Sequence, residues 1–249
     1  MSELSAFAQV QAAYERGDHE GVVRLTAAIL AERPGDDAAH ELQARSLLAL
    51  GRLDEAEAET NDAVRLDPDE IRYRELLAEV LAARGDHRDA AEEYRRLSRG
   101  DPAQSAWTVA EAQERLGAAQ PEMGVEAARQ AVRLDPGNGA AQLALAQGLA
   151  RLGQGRPALE AATRAAELLP GELAAREALA DARWLTGDRR GAFAEYRALA
   201  LEADRAAGAR TIAKARALYR QRAGWLGSLV AGVPVLFGLA LRNGWLHVP

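Results

Sequence analysis

From Gly51 to Pro68 the chain reads GRLDEAEAETNDAVRLDP, and this stretch decides the architecture. Ala56, Thr60, Ala63 and Val64 share one face of a 3.6-residue period, so an amphipathic helix is predicted between the glycine and the proline. Both punctuators recur. Proline stands at Pro34, Pro68, Pro102, Pro136 and Pro170, each 34 residues after the last. Glycine keeps the same step at Gly17, Gly51, Gly85, Gly153 and Gly187, with Ala119 in the one vacant slot and Gly117 close by. Two independent markers with one period identify an internal repeat. A second apolar stripe precedes the glycine, as Leu76, Leu77, Val80 and Leu81 before Gly85, and Leu145, Ala146, Leu149 and Ala150 before Gly153. The repeating unit is therefore a helix hairpin. Glycine ends its first helix where a left-handed conformation costs little, and the aspartate that follows at Asp18, Asp86 and Asp188 is placed to cap the second. Asp-Pro at 67-68, 101-102 and 135-136 stops the second helix, because the residue before proline is pushed out of the α region.

With these residues in place the sequence resembles the tetratricopeptide repeat family, in which alanines lie five and twelve residues after the turn glycine and proline seventeen after it. The first alanine slot holds Ala56, Ala90, Ala158 and Ala192, and the second holds Ala63, Ala131 and Ala165. Six repeats fit, at about 3-36, 37-70, 71-104, 105-138, 139-172 and 173-206. The resemblance implies an all-α fold, a right-handed α-solenoid of helix-turn-helix repeats, with a basic amphipathic cap helix at 207-222 and an apolar segment at 223-241 before a short tail at 242-249. Two departures stand out. Repeat four has Ala119-Gln120-Pro121 at its turn, so its second helix is expected to begin at Pro121 as a first-turn proline, and repeat six has Asp204 where proline belongs.

The resemblance further implies a concave face, lined by the first helix of each pair, that holds segments of protein partners. Its positions fall at Glu41 and Arg45 in repeat two, Arg72 and Glu75 in repeat three, Val109 and Leu116 in repeat four, Leu143 in repeat five and Trp184 in repeat six. The first half is charged and the second largely apolar. Relatives that clamp a C-terminal carboxylate use a lysine and asparagine set, which is absent here, since Lys214 is the only lysine. Trp184 reads either as an anchor for a partner or as packing between helices. Trp107 reads as packing between repeats, and Tyr94 and Tyr196 as core.

Composition narrows the function classes. The chain has 249 residues, no cysteine and a formal net charge of −6, from 31 basic and 37 acidic residues, which argues against a nucleic-acid binder. The average hides an asymmetry: residues 1–204 carry 24 basic and 37 acidic groups, a net of −13, whereas Arg205 to Pro249 holds seven basic residues and no acid. No cleavable signal peptide is expected at Met1 to Val10. Thirty arginines against one lysine suggest a bacterium with a GC-rich genome. No phosphate loop, nucleophile elbow or paired-histidine helix motif occurs, so no catalytic residue, metal ligand or cofactor is expected. His19 and His87 share one repeat position, which repetition explains better than metal binding does, and His40 and His247 have no partner at ligand spacing.

Nineteen uncharged residues, Ala223 to Leu241, follow Arg222. As a helix they would span about 28 Å, close to the thickness of a bilayer core. Trp225 and Trp245 lie at the margins, where indoles favour the headgroup layer, with Leu229, Val233, Leu236 and Phe237 between them to face lipid. Four glycines and Pro234 weaken such a helix in water, so the alternative is a tail that folds back on its own groove or docks on a partner subunit. If it spans, Arg216, Arg220 and Arg222 on one side against Arg242 alone on the other put the repeats in the cytoplasm. Ser228 and Gly232, four apart, would let two such helices approach, leaving a homo-oligomer open. The sequence thus leads to a non-enzymatic interaction scaffold that binds partner proteins in its groove and is tethered to a membrane through 223-241.

Overall fold

The computed structural model describes residues 3–202, all-α, with twelve helices and no strand among them. The sequence assigned to the cap helix, the apolar segment and the tail, with Trp225, Leu229, Val233, Leu236, Phe237 and Trp245, lies outside the described residues. The chain divides into two compact units, Met1–Asp135 and Pro136–Pro249. The first contains α1 (Glu3–Glu15), α2 (His19–Glu32), α3 (Asp37–Ala49), α4 (Leu53–Leu66), α5 (Ile71–Arg84), α6 (His87–Gly100), α7 (Ser105–Gly117) and α8 (Pro121–Leu134). The second contains α9 (Gly139–Arg151), α10 (Gly155–Leu168), α11 (Leu173–Thr186) and α12 (Arg189–Glu202). Within each unit every helix packs on the next in sequence, and first helices also meet one period on, α3 against α5 and α9 against α11. Each unit is an α-solenoid of stacked hairpins.

The sequence punctuation explains the turns. Gly17, Gly51, Gly85, Gly153 and Gly187 all have positive φ, between 71° and 90°, where a side chain would be strained. Asp67, Asp101 and Asp135 sit in extended backbone at the helix ends. Asp18 and Asp188 accept hydrogen bonds from the backbone N–H of Gly21 and Gly191, each at 2.9 Å, and so cap α2 and α12. Asp86 differs from that expectation: its carboxylate makes no cap bond and pairs with the Arg84 guanidinium instead.

The core is narrow because small residues hold the helix crossings. Ala56, Ala63, Ala90, Ala131, Ala158, Ala165 and Ala192 are all fully buried. In the second unit α10 buries only alanines, Ala158, Ala161, Ala162 and Ala165. Buried polar groups tie neighbouring hairpins of the first unit. Gln43 accepts from the Thr26 hydroxyl at 2.8 Å and donates to Glu59 at 3.1 Å. Glu59 in turn lies 2.6 Å from His40 Nδ1, while His40 Nε2 donates to the Pro34 carbonyl at 3.1 Å. Tyr73 donates to Asp37 at 2.9 Å, a link of 36 residues, slightly more than one period.

The irregular turn of repeat four is built differently. Ala119 has φ +56°, the one described non-glycine residue in this region, and α8 does begin at Pro121. Beside this turn Arg115 is 2% exposed. Its guanidinium donates to Gln120 at 3.0 Å and to Glu92 of α6 at 2.6 Å, and Nε faces Glu111 at 3.7 Å. The hydrogen bond from Arg115 holds the Glu92 carboxyl below the usual carboxylate range. Burial pushes Glu111 up, against the pull of Arg115 and Arg95.

Two outcomes follow from this turn. Ala119→Gly should stabilise the protein by roughly 0.5–1 kcal/mol, the left-handed strain relieved less the extra freedom of the unfolded chain, read as a higher urea midpoint. Glu92→Gln should cost about 1–2 kcal/mol at pH 7, a charge-assisted bond discounted for partial exposure. Because the folded pKa of Glu92 is depressed, its contribution is complete above about pH 4.3 and is lost as pH falls through the lower folded value. The gap between wild type and variant should therefore close below about pH 4 in urea melts.

Candidate functional site

The first-helix positions separate by unit. In the first unit, Glu41 of α3 is nearly buried and accepts from Arg45 at 3.0 Å, with Arg72 of α5 at 3.6 Å on its other oxygen. Glu75 of α5 accepts from the indole N–H of Trp107 at 3.0 Å. Glu41, Arg72 and Glu75 are thus engaged across neighbouring repeats, Arg45 pairs within α3, and Trp107, itself buried, does lie between repeats. Val109 and Leu116 of α7 are buried as well. Leu116 has its methyl groups over Gly124 of α8, where an added Cβ would meet them at 2.8 Å. Leu116 thus fills the α7–α8 contact, where α8 has a glycine in the slot that other repeats give to alanine.

In the second unit, Leu143 of α9 is half-buried and Trp184 of α11 is 5% exposed. Trp184 packs edge-to-face on Phe193, with centroids 5.7 Å apart and planes at 84°, in a cluster with Ala180, Ala192 and Tyr196. The Arg189 guanidinium lies 5.9 Å from its ring centroid. Tyr196 is buried and donates to Asp181, and burial together with that carboxylate pushes its phenol well up. Tyr94, by contrast, is half-buried, and burial with the carboxylates of Glu79, Glu114 and Glu75 around it pushes its phenol up to about 12.

Trp184 also borders a cleft of about 380 Å³ between α9 and α11. Gln147, Ala150 and Arg151 form the α9 wall, and Ala174, Glu177, Ala178, Asp181, Trp184 and Leu185 form the α11 wall. The cleft follows from spacing, since positions 174, 177, 178, 181, 184 and 185 lie on one helical face. Its size is within the range of sites that hold a side chain or small ligand. Sequence reasoning named Trp184 here but missed Glu177 and Asp181 as a pair, although both occupy first-helix positions. Their spacing of four was the available signal.

The described histidines contact neighbouring side chains of the repeats. His87 Nδ1 is 2.7 Å from Glu114, and His19 stacks edge-on with Tyr14 at 5.9 Å. Among the described residues no cluster of three or more His, Asp or Glu is arranged to hold a metal ion. No described helix is long and apolar enough to cross a membrane.

Residues 13–80 match a family model described as tetratricopeptide repeat. No curated protein matches. Among solved structures, MamA from Desulfovibrio magneticus RS-1, residues 41 to the end, is 21% identical over 69% of this chain and 98% of that one, with a TM-score of 0.63. A tetratricopeptide repeat protein from Parabacteroides merdae is 14% identical over 95% of this chain and 98% of its own, with a TM-score of 0.72. YrrB, described as a TPR protein with an unusual peptide-binding site, is 16% identical over 76% and 97%, with a TM-score of 0.57. At these identities the likeness is one of fold.

Trp184→Ala should destabilise the second unit by about 3 kcal/mol, the usual cost of emptying an aromatic core site, seen as a lower thermal midpoint. An unchanged midpoint would return Trp184 to the exposed surface of the groove.

Proposed function

On a chain built of tetratricopeptide repeats, we propose a non-enzymatic scaffold that holds a segment of a partner protein against its first helices and is tethered to a membrane by residues 223-241. The observation that carries the groove reading is the cleft between α9 and α11, lined by apolar side chains together with Gln147, Arg151, Glu177 and Asp181. Groups of this kind suit an extended or helical segment that inserts a few side chains. YrrB, a fold relative described by a peptide-binding site, supports the same use. In the first unit, Glu41, Arg45, Arg72 and Glu75 are the polar positions that such a segment would meet. The pairing of Glu41 with Arg45 and Arg72 favours partners that bring their own charges in register rather than purely apolar ones.

The tether rests on the sequence of the C-terminus. Nineteen uncharged residues match the bilayer core, and Arg216, Arg220 and Arg222 add electrostatic attraction to an anionic surface of roughly 1 kcal/mol each. In this reading Trp225 and Trp245 sit in the headgroup layers, Leu229, Val233, Leu236 and Phe237 face lipid, and the repeats are cytoplasmic. Fractionation tests it: the full chain should remain in the membrane pellet after a carbonate wash, and a chain ending at Arg222 should move to the supernatant. Release of the full chain by carbonate would overturn the tether.

A further inference from the structure

The hairpin tips, where each first helix turns into its second, change sign between the two units. Over the six residues that start at the turn position, with histidine neutral, the first unit carries a net −2 at 17–22 and −1 at each of 51–56, 85–90 and 119–124. The second unit carries +1 at 153–158 and +1 at 187–192. The first turns of α2, α4, α6 and α8 hold Glu20, Asp54, Glu55, Asp89 and Glu122, at the end of a helix that favours an anion. Those of α10 and α12 hold no acid and carry Arg156, Arg189 and Arg190 instead. Of the first unit's arginines in these stretches, Arg52 pairs with Glu55, and Arg88 stands between Asp86 and Asp89 in sequence. In the second unit Arg156 and Arg190 are exposed and have no ion pair among the described residues, while the exposed Arg189 lies over the Trp184 ring. Cations held against the helix dipole without a carboxylate partner in the fold are matched to an anion outside it.

These two tips adjoin. A Cβ added to Gly155, at the start of α10, would lie 3.2 Å from the backbone carbonyl of Leu185 near the end of α11, so the residues that open α10 and α12 stand at one edge of the unit. From that edge α12 runs to Glu202, about 21 Å away for its fourteen residues. Residues 205–222 hold six basic groups and no acid, and as a helix they would cover about 27 Å. That length is enough to return along α12 and bring Ala223, the first residue of the apolar segment, to the level of the tips. An anionic bilayer surface fits both features: it is broad enough to take charge from two tips, and the apolar segment enters it beside them. We propose that the α9–α10 and α11–α12 tips of the second unit dock on an anionic lipid surface through Arg156, Arg189 and Arg190. The inference rests on the reading of residues 223–241 as a tether and adds which edge of the second unit faces the lipid.

The absence of cysteine lets one thiol label report each edge. In the full chain, Gln154→Cys marks the tip, where the native side chain makes no cap bond. Gly171→Cys, in a separate chain, marks the opposite end of the hairpins, where an added Cβ meets no atom within 4 Å. Each labelled chain is reconstituted with vesicles of phosphatidylcholine alone, or of phosphatidylcholine with phosphatidylglycerol, both containing a lipid with a quencher in its headgroup. Flotation is read on the same samples. The Gln154→Cys label should be quenched on the phosphatidylglycerol vesicles only, and the Gly171→Cys label on neither. Arg156→Gln, Arg189→Gln and Arg190→Gln together should lower the ratio of docked to undocked tips about a hundredfold, about fivefold for each side chain, and lysine at the same three positions should restore it. Chain that floats with both vesicle types while the tip label stays unquenched, is quenched equally on neutral vesicles, or stays quenched in the glutamine variant overturns the docking and leaves the tether. Quenching at Gly171→Cys as strong as at Gln154→Cys also overturns it, since the contact then belongs to no one edge. Flotation with the anionic vesicles alone, lost in the glutamine variant, keeps the tips as a lipid contact and removes the tether. Flotation with neither removes both.

Discussion

The distance between helices in this protein is set by what fits at their crossings, and at most crossings only a methyl group fits. Seven alanines at the fifth and twelfth positions after the turn are without exposed surface. A residue this small contributes little apolar area by itself, so the stabilisation comes from the larger side chains that close approach brings together. In the first unit these include Leu47, Leu76 and Val80 around Ala44 and Ala56. In the second, where α10 buries nothing larger than alanine, the aromatic cluster of Trp184, Phe193 and Tyr196 supplies the bulk. This is why the tryptophan that sequence position assigns to the groove is held mainly by the core.

Repeat four obeys the same constraint by exchanging residues. Glycine moves from the turn to the crossing: Ala119 takes the left-handed position and Gly124 the slot where neighbouring repeats have alanine. The vacated volume receives Leu116. The turn then lacks the residue best suited to its torsion, and Arg115 spans α6, α7 and the turn with bonds to Glu92 and Gln120. A nearly buried guanidinium requires such partners, since an unpaired one would cost several kcal/mol. The irregular sequence at 119-121 and the polar cluster beneath it are parts of one solution.

Much of the fold was legible because its markers act through the backbone alone. Proline and left-handed glycine act locally, so a 34-residue step in both places turns and helix ends without knowledge of any contact. The site was legible only as positions. A first-helix residue can face the groove, the preceding hairpin or the following one, and sequence spacing does not distinguish these by the needed fraction of a turn. Leu116 went to the α7–α8 contact, and Val109 is buried. Glu41 and Arg72, or Glu75 and Trp107, meet across about one period, and nothing in either local segment announces its partner. Glu177 and Asp181 were visible as acids at groove positions, but their shared cleft depends on α9 standing opposite.

The five turn glycines differ from the crossing residues in one respect: a Cβ added at Gly17, Gly51, Gly85, Gly153 or Gly187 would meet no atom within 4 Å. Torsion alone restricts these positions, and the packing ends before it reaches them. The hairpin tips are therefore splice points. Loop-closure entropy rises slowly with length, so a tag, an epitope or a whole inserted module can leave through a tip at small energetic cost. The alanine-lined crossings below would keep their spacing, which makes this chain a carrier onto which new loops can be grafted one hairpin at a time.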